Sequence, residues 1–167
     1  SLAGVMAIAR AIGWAIDLLR PRERDAERIE RLHATLRIAS QLSQARETTE
    51  LLEMIAREAA RLLGADRSSI FVWDKEQQEM VACPALGVAG NVLRIPDRAG
   101  IVGQCLQEGR AIRVDDAYLD SRFNKKVDEE SGYRTRNLLC VPLMNAAGER
   151  IGVFEAINKL RGGFTDD

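Results

Sequence analysis

The sequence is poor in the residues that hydrolytic and metal-dependent chemistry requires. It contains one histidine, His33, and three cysteines, Cys83, Cys105 and Cys140, without a Cys-x-x-Cys pair. A zinc site needs about four such ligands, and a disulfide framework needs an even number of cysteines. A serine or cysteine nucleophile also needs a positioned base, which this sequence does not supply. We therefore expect no catalytic residues, no metal ion and a reducing compartment.

An excess of charge of one sign is also absent. Lysine and arginine total 24 against 25 acidic residues, so nothing attracts nucleic acid or an anionic membrane electrostatically. The most apolar stretch, Leu2–Leu19, contains Arg10 and Asp17, whereas a membrane span needs about 20 nearly uncharged residues. No secretory signal pattern is visible either. These absences predict a cytoplasmic protein with no membrane span and no nucleic-acid partner.

Helical spacing of apolar residues is the main feature of the N-terminal segment. A first helix is predicted by Val5, Ala9, Ile12, Ile16 and Leu19, and after Pro21 the spacing resumes at Ile29, Leu32, Leu36 and Ala39. The second stripe lies in a charged segment and is narrow, which is typical of a helix paired with another helix. Residues 1–47 are therefore predicted to form a coiled-coil-like linker that joins two subunits as a parallel homodimer. The alternative is a linker helix packed on its own domain.

The patterns that follow predict one globular domain at residues 48–167. Thr48 and Thr49 are candidate N-caps for a helix over Leu51–Leu63, and Gly64 is its candidate C-cap. Strand patterns occur at 68–73, 79–83, 91–95, 112–114, 137–144 and 150–157, with a helical pattern at 100–108 and a polar segment at 115–136. This order predicts an α+β fold with an antiparallel sheet, the first two helices on one face and the polar segment on the other. Pro142 predicts an edge or a bulge in its strand.

Several separate motifs carry a family resemblance. They are Arg94-Ile95-Pro96, Gly100-Ile101-Val102-Gly103, the segment 120–143, and the segment 152–159 followed by Phe164. In this order they resemble the GAF domain family, in the subgroup that regulates cyclic-nucleotide phosphodiesterases and certain bacterial adenylyl cyclases. The resemblance implies a six-stranded antiparallel sheet with helices on both faces and a pocket capped by the polar segment. It also implies a non-catalytic sensory domain that relays its ligand state to a covalently linked output domain, such as a nucleotide cyclase, a sigma-54-type transcription activator, a phosphatase or a kinase.

The resemblance also implies a set of ligand-binding residues. By position, the nucleotide contacts of the family fall on Ser69, Ile101, Val102, Asn124, Asp128, Ser131, Thr135 and Glu155. Hydroxyls and backbone N–H groups at a helix start suit a cyclic phosphate, and carboxylates suit the amino edge of a purine. The ligand implied is cyclic AMP or cyclic GMP. No other cofactor is implied.

Two differences from the family pattern favour an alternative function. The base-stacking phenylalanine of the family and the aspartate after it are replaced by Ala85 and Leu86, which favours a structural dimerisation module with a vestigial pocket as the alternative function.

A methionine-sulfoxide reductase of the same superfamily would need paired reactive cysteines, and Cys83 with Cys140 is the conceivable pair.

A structural signature closes the resemblance. Asn158, Lys159 and Phe164 match this signature. In the family, the lysine forms a salt bridge with an aspartate, whose position would come directly after Asp167. Lys159 is therefore expected to lack that partner within these 167 residues, in a domain truncated at its C-terminal end.

Overall fold

The computed structural model describes residues 2–19, 34–83 and 93–165. Side chains are described at 2–16, 48–82, 93–129 and 131–165. Four helices and six strands occur in these ranges, in the order α1 Leu2–Leu19, α2 Ala34–Leu63, β1 Ala65–Asp74, β2 Glu79–Cys83, β3 Leu93–Pro96, α3 Gly100–Glu108, β4 Ile112–Val114, α4 Lys125–Ser131, β5 Leu138–Met144 and β6 Arg150–Lys159.

The six strands form one sheet in the order β3-β2-β1-β6-β5-β4. All pairings between neighbouring strands are antiparallel, and the two longest strands, β1 and β6, lie at the centre, where Ser69 is paired with Glu155. β-branched and aromatic residues are frequent in both strands, which suits a sheet buried on two faces. The predicted α+β fold with a six-stranded antiparallel sheet is confirmed.

The two faces of the sheet carry different layers. On one face, Val5, Ala9, Ile12 and Ile16 of α1 and the buried side of α2 pack against residues such as Ile70 and Phe154. On the other face, α3 packs against Phe71 and Val153, and the segment that contains α4 lies beside it. The predicted placement of the helices is therefore confirmed, and the apolar stripe of α1 is buried within its own domain.

α1 approaches the sheet closely at one glycine. A Cβ atom at Gly13 would lie 1.9 Å from the carbonyl oxygen of Met144, so only glycine allows this distance between helix and strand. Gly13 thereby fixes α1 against the end of β5.

The predicted helix start at Thr48 and Thr49 is wrong. Both residues lie inside α2, which is a single helix of 30 residues from Ala34 to Leu63. The segment 34–48 contains no glycine or proline that would end a helix, so two threonines do not interrupt it. The predicted stripe residues Leu36 and Ala39 lie in this helix outside the described side chains, and Ile29 and Leu32 lie outside the described residues altogether.

Lys159 makes contacts other than the salt bridge of the family signature. Its ammonium group donates a hydrogen bond to the carbonyl oxygen of Leu63 at the end of α2 and lies 5.9 Å from the ring centroid of Phe164. A lysine at a helix C-terminus is also favoured by the helix dipole. Gly64, in the left-handed conformation with φ +58°, ends the helix as predicted.

Pro142 lies in the part of β5 that is no longer paired with β4. β4 pairs with β5 only from Leu138 to Cys140, and the register of β5 against β6 shifts between Leu143 and Met144. A proline cannot donate to the ladder and is therefore tolerated at such a place. The predicted edge or bulge is confirmed.

Candidate ligand-binding site

A cavity of about 150 Å³ lies between the sheet and the segment that contains α3 and α4. This is far more than the roughly 10–15 Å³ that one buried water molecule occupies, so the cavity has room for a small ligand. Its wall consists of Arg67, Phe71, Leu93, Ile95, Ala99, Gly100, Ile101, Val102, Arg122, Phe123, Asn124, Val127, Asp128, Ser131, Tyr133, Thr135, Leu138, Glu155 and Ile157.

Seven of the eight ligand contacts implied by the resemblance line this cavity. They are Ile101, Val102, Asn124, Asp128, Ser131, Thr135 and Glu155. Ser69 is the eighth and is not part of the wall, although it is buried on the central strand directly opposite Glu155. Arg67 and Phe71, two residues before and two residues after Ser69, point to the same face of the strand as Ser69, and both line the cavity. The short side chain of Ser69 lies between these longer ones and does not reach the cavity.

Asp128 joins the helical cap to the rest of the domain. Its carboxylate accepts hydrogen bonds from the Thr135 backbone N–H at 2.6 Å, the Thr135 hydroxyl at 2.8 Å and the Tyr118 hydroxyl at 3.1 Å. Asp128 is only 5% exposed, and hydrogen bonds from three donors compensate a carboxylate for lost hydration. The carboxylate of Asp128 therefore holds α4 over the cavity, and Thr135 is its main partner.

Two other predicted contacts stabilise the ends of α4. The Asn124 side chain accepts a hydrogen bond from the Lys126 backbone N–H and caps the helix N-terminus. The Ser131 hydroxyl donates to the Val127 carbonyl at 2.7 Å in the last turn. Both side chains line the cavity and at the same time shape its cap.

Asn158 supports the cavity wall from the end of β6. Its backbone is left-handed, with φ +56°, a conformation in which asparagine is enriched among non-glycine residues. The side-chain oxygen accepts from the Arg136 backbone N–H at 2.6 Å, and the amide group donates to the Tyr133 hydroxyl and the Arg134 carbonyl. The Asn-Lys pair of the signature thus fixes both the segment before β5 and the end of α2.

Arg67 and Tyr133 also line the cavity, although the sequence did not predict them as site residues. The Arg67 guanidinium lies 3.8 Å from the ring centroid of Tyr133, and the Tyr133 hydroxyl donates to Asp66 at 2.5 Å. Burial and the nearby Asp66 raise the pKa of Tyr133 to about 12, so this hydroxyl stays protonated. Arg67 lies two residues before Ser69 and so on the same face of the strand, which could have indicated it as a wall residue. No local sequence pattern indicates that residue 133 contacts residue 67.

Glu155 is the carboxyl group with the most altered ionisation in the wall. Burial in the centre of the sheet raises its pKa to about 7, a hydrogen bond from the Cys140 thiol works in the opposite direction, and the charge of Asp128 adds to the increase. The Cys140 sulfur lies 3.9 Å from Glu155 Oε1, which is a weak hydrogen bond. Both the acid and the carboxylate are therefore populated at neutral pH.

The two cysteines with described side chains are unreactive in character. Burial raises the pKa of Cys105 to about 12 and that of Cys140 well above its usual value, with nearby acidic side chains adding to both shifts. A thiol reacts through its thiolate, so neither is suited to the chemistry of a reductase. The side chain of Cys83 lies outside the described part, and its pairing with Cys140 stays untested.

We expect native protein at about pH 7.5 to leave Cys105 and Cys140 unmodified by iodoacetamide, because both thiols are buried and protonated. Peptide mass spectrometry after timed labelling measures this. The variant Leu119→Cys is the control, since Leu119 is 84% exposed and a thiol there reacts readily. Labelling of Cys140 at the rate of the Leu119→Cys thiol would contradict the assignment.

The described part of the chain also bears on metal ions and membranes. Over the described ranges, no three histidine, cysteine, aspartate or glutamate side chains are grouped closely enough to hold a metal ion. None of the helices seen in those ranges has the length and apolar character that a bilayer crossing requires.

The chain combines an antiparallel sheet, two helices on one face and a capped cavity on the other, which places it among the α+β domains. Residues 47–167 match the sequence profile of the GAF domain family, and the chain belongs to that family. A solved GAF domain of a phosphoenolpyruvate-protein phosphotransferase from Coxiella burnetii superposes with a TM-score of 0.59 at 23% identity, over 78% of this chain and 81% of that one. Free methionine-R-sulfoxide reductase from Neisseria meningitidis, in complex with its substrate, superposes with a TM-score of 0.56 at 21% identity, over 71% and 66%. These two similarities concern the fold.

A curated relative supports the resemblance to the phosphodiesterase subgroup. A dual 3',5'-cyclic-AMP and -GMP phosphodiesterase 11A from Takifugu rubripes is 43% identical over 77 residues, which are 45% of this chain and 8% of that protein. The chain therefore matches less than a tenth of the length of this relative.

Proposed function

We propose that this GAF domain is a non-catalytic sensor that binds a cyclic nucleotide in the cavity beneath α4. The observation that carries the proposal is the convergence of seven implied contact residues on one cavity. The name of the phosphodiesterase relative, which includes both cyclic AMP and cyclic GMP, supports the ligand class.

The chemistry of the wall suits the parts of such a ligand. The first backbone N–H groups of α3, around Ile101 and Val102, have no partner within the helix and favour an anion such as a cyclic phosphate. Glu155 offers oxygen atoms to the amino edge of a purine, and Phe123 and Ile157 offer apolar surface to its ring. A ligand held by all of these groups would contact the sheet and the cap together.

The relay of the ligand state is proposed to use the helices on the opposite face of the sheet. α1 and α2 pack on the sheet that forms the floor of the cavity, so a shift of the sheet reaches both. We propose that residues 1–47 join two subunits in a homodimer and that residues 48–167 sense the ligand for a covalently linked output domain. We propose that this takes place in the cytoplasm.

Titration calorimetry with cyclic AMP and cyclic GMP tests the ligand. We expect heat from at least one nucleotide and a loss of affinity of about tenfold or more in Ala99→Trp, because Ala99 is a partly exposed wall residue and an indole there would fill the cavity. Ala146→Trp, in the exposed β5–β6 turn, is the matched control and should bind as the parent does. Thermal melting of both variants checks that the fold is retained.

The calorimetry also addresses the alternative function. No heat from either nucleotide at millimolar concentration would remove the cyclic-nucleotide proposal. A dimer in sedimentation equilibrium with no such heat would favour a dimerisation module with a vestigial pocket. Equal binding by Ala99→Trp and the parent would show that the ligand binds outside this cavity.

A further inference from the structure

Glu155 reaches the cavity from the centre of the sheet without a charged partner. Within the ranges that the structure describes, the side-chain hydrogen bond recorded for Glu155 is the weak one from the Cys140 thiol on β5, and no ion pair is recorded for it. In the described part of the chain, the other charged or titratable groups that line the cavity or interact with Glu155 are Arg67 on β1, Cys105 on α3, Arg122 before α4, Asp128 on α4 and Tyr133 after α4.

Each of the charged neighbours is engaged elsewhere. Arg67 lies over the ring of Tyr133, and Arg122 is bonded to Asp120 and Gln104. The carboxylate of Asp128 is bonded to Thr135 and Tyr118. The oxygen atoms of Glu155 are therefore left to interact with whatever occupies the cavity, and no cation among the described side chains fixes the charge of this carboxyl group.

The two protonation states of a carboxyl group recognise different partners. A carboxylate only accepts hydrogen bonds, so it suits an edge with two adjacent N–H donors. A carboxylic acid donates one hydrogen bond and accepts another, so it suits an edge with one donor beside one acceptor. The N1–H and amino group of guanine form the first kind of edge, and the amino group and N1 of adenine form the second.

We propose that Glu155 selects the purine by its own protonation, accepting the guanine edge as a carboxylate and the adenine edge as a carboxylic acid. The inference rests on the proposed function, since it assigns the base-recognising group of the same cavity. Hydroxyl groups of the wall do not make this distinction, because a hydroxyl rotates to donate or accept as required.

The direction of the pH dependence follows from the ionisation of Glu155. Its pKa of about 7 in the ligand-free protein means that the acid is the main form below pH 7 and the carboxylate above it. Cyclic GMP then releases a proton when it binds below pH 7, and its affinity rises with pH. Cyclic AMP takes up a proton when it binds above pH 7, and its affinity falls with pH. Between about pH 6 and about pH 8 each affinity changes about tenfold, so their ratio changes about a hundredfold.

The test is calorimetry of the full chain with both nucleotides at about pH 6, 7 and 8, in buffers with different ionisation enthalpies. The expected result is opposite pH dependences, with proton release by cyclic GMP and proton uptake by cyclic AMP. Glu155→Gln is expected to make the ratio of the two affinities nearly constant over this range, because an amide does not titrate. Glu76→Gln, the same change in the exposed β1–β2 turn, should keep the dependence of the parent. Thermal melts at each pH confirm that each variant is folded.

The outcomes separate this inference from the proposed function. Binding of either nucleotide with an affinity ratio that does not change with pH overturns the selection by Glu155 and leaves the proposed function standing. The same holds if Glu155→Gln retains the pH dependence of the parent. No binding of either nucleotide at any of the three pH values overturns both.

Discussion

Gly152→Ala is expected to destabilise the domain by about 4 kcal/mol or more, which is a large part of the roughly 5–15 kcal/mol that holds a domain folded. A Cβ atom at this position would lie 2.1 Å from the carbonyl oxygen of Phe71. That oxygen belongs to the backbone of the neighbouring central strand and cannot swing away as a side chain would. The two longest strands would have to separate at Val72, the partner of Gly152.

Urea unfolding followed by circular dichroism measures this effect. Gly163→Ala is the control, because a Cβ atom there meets only the Asp115 side chain at 3.9 Å, an ordinary contact. We expect that variant to lie within about 0.5 kcal/mol of the parent. A Gly152→Ala protein as stable as the Gly163→Ala protein would mean that β1 and β6 do not approach as described.

Asp128→Ala is expected to cost about 3 kcal/mol and to open the cap over the cavity. The change leaves the backbone N–H and the hydroxyl of buried Thr135 without their acceptor, and each unsatisfied buried group costs about 1–3 kcal/mol. The loss is expected locally, since α4 is only seven residues long and Asp128 is the buried one among its described side chains. We therefore expect fast amide hydrogen exchange at Thr135 and through residues 124–136.

Glu129→Ala is the matched control, because Glu129 is the next residue of the same helix and is exposed. It should leave both the stability and the exchange of Thr135 nearly unchanged. Protection of the Thr135 amide in Asp128→Ala equal to that in the control would show that another contact closes the cap.

Elements whose ends carry a local sequence signal, such as a glycine C-cap, were predictable in detail. The bounds of β2 and of α3 are those that the sequence predicts, residues 79–83 and 100–108. For α3 the reason is visible in the chain, since Gly109 adopts the left-handed conformation of a C-cap, with φ +66°. Elements whose ends depend on distant partners were predicted less well. β1 begins at Ala65 because that residue pairs with Lys159, 94 positions later in the chain.

The lining of the candidate site was predictable for the most part, whereas the contacts that its side chains make were not. Seven implied contacts line one cavity, because the order of motifs fixes the fold that brings them together. Asp128 was implied as a ligand contact, and its hydrogen bonds to Thr135 and Tyr118 follow from burial, which no motif encodes. The stacking of Arg67 on Tyr133 likewise depends on how the cap folds back over the central strand.

The continuity of α2 has a mechanical consequence. Thirty residues in one helix make a rod about 45 Å long at ~1.5 Å per residue, with no joint at Thr48 to absorb motion. If its domain-bound end at Leu63 is the pivot, a tilt of about 5° displaces Ala34 by about 4 Å, close to the ~5 Å rise of one helical turn. In the dimer that we propose, such a lever would turn a small movement in the sheet into one large enough to change which residues of the two subunits meet at the far end.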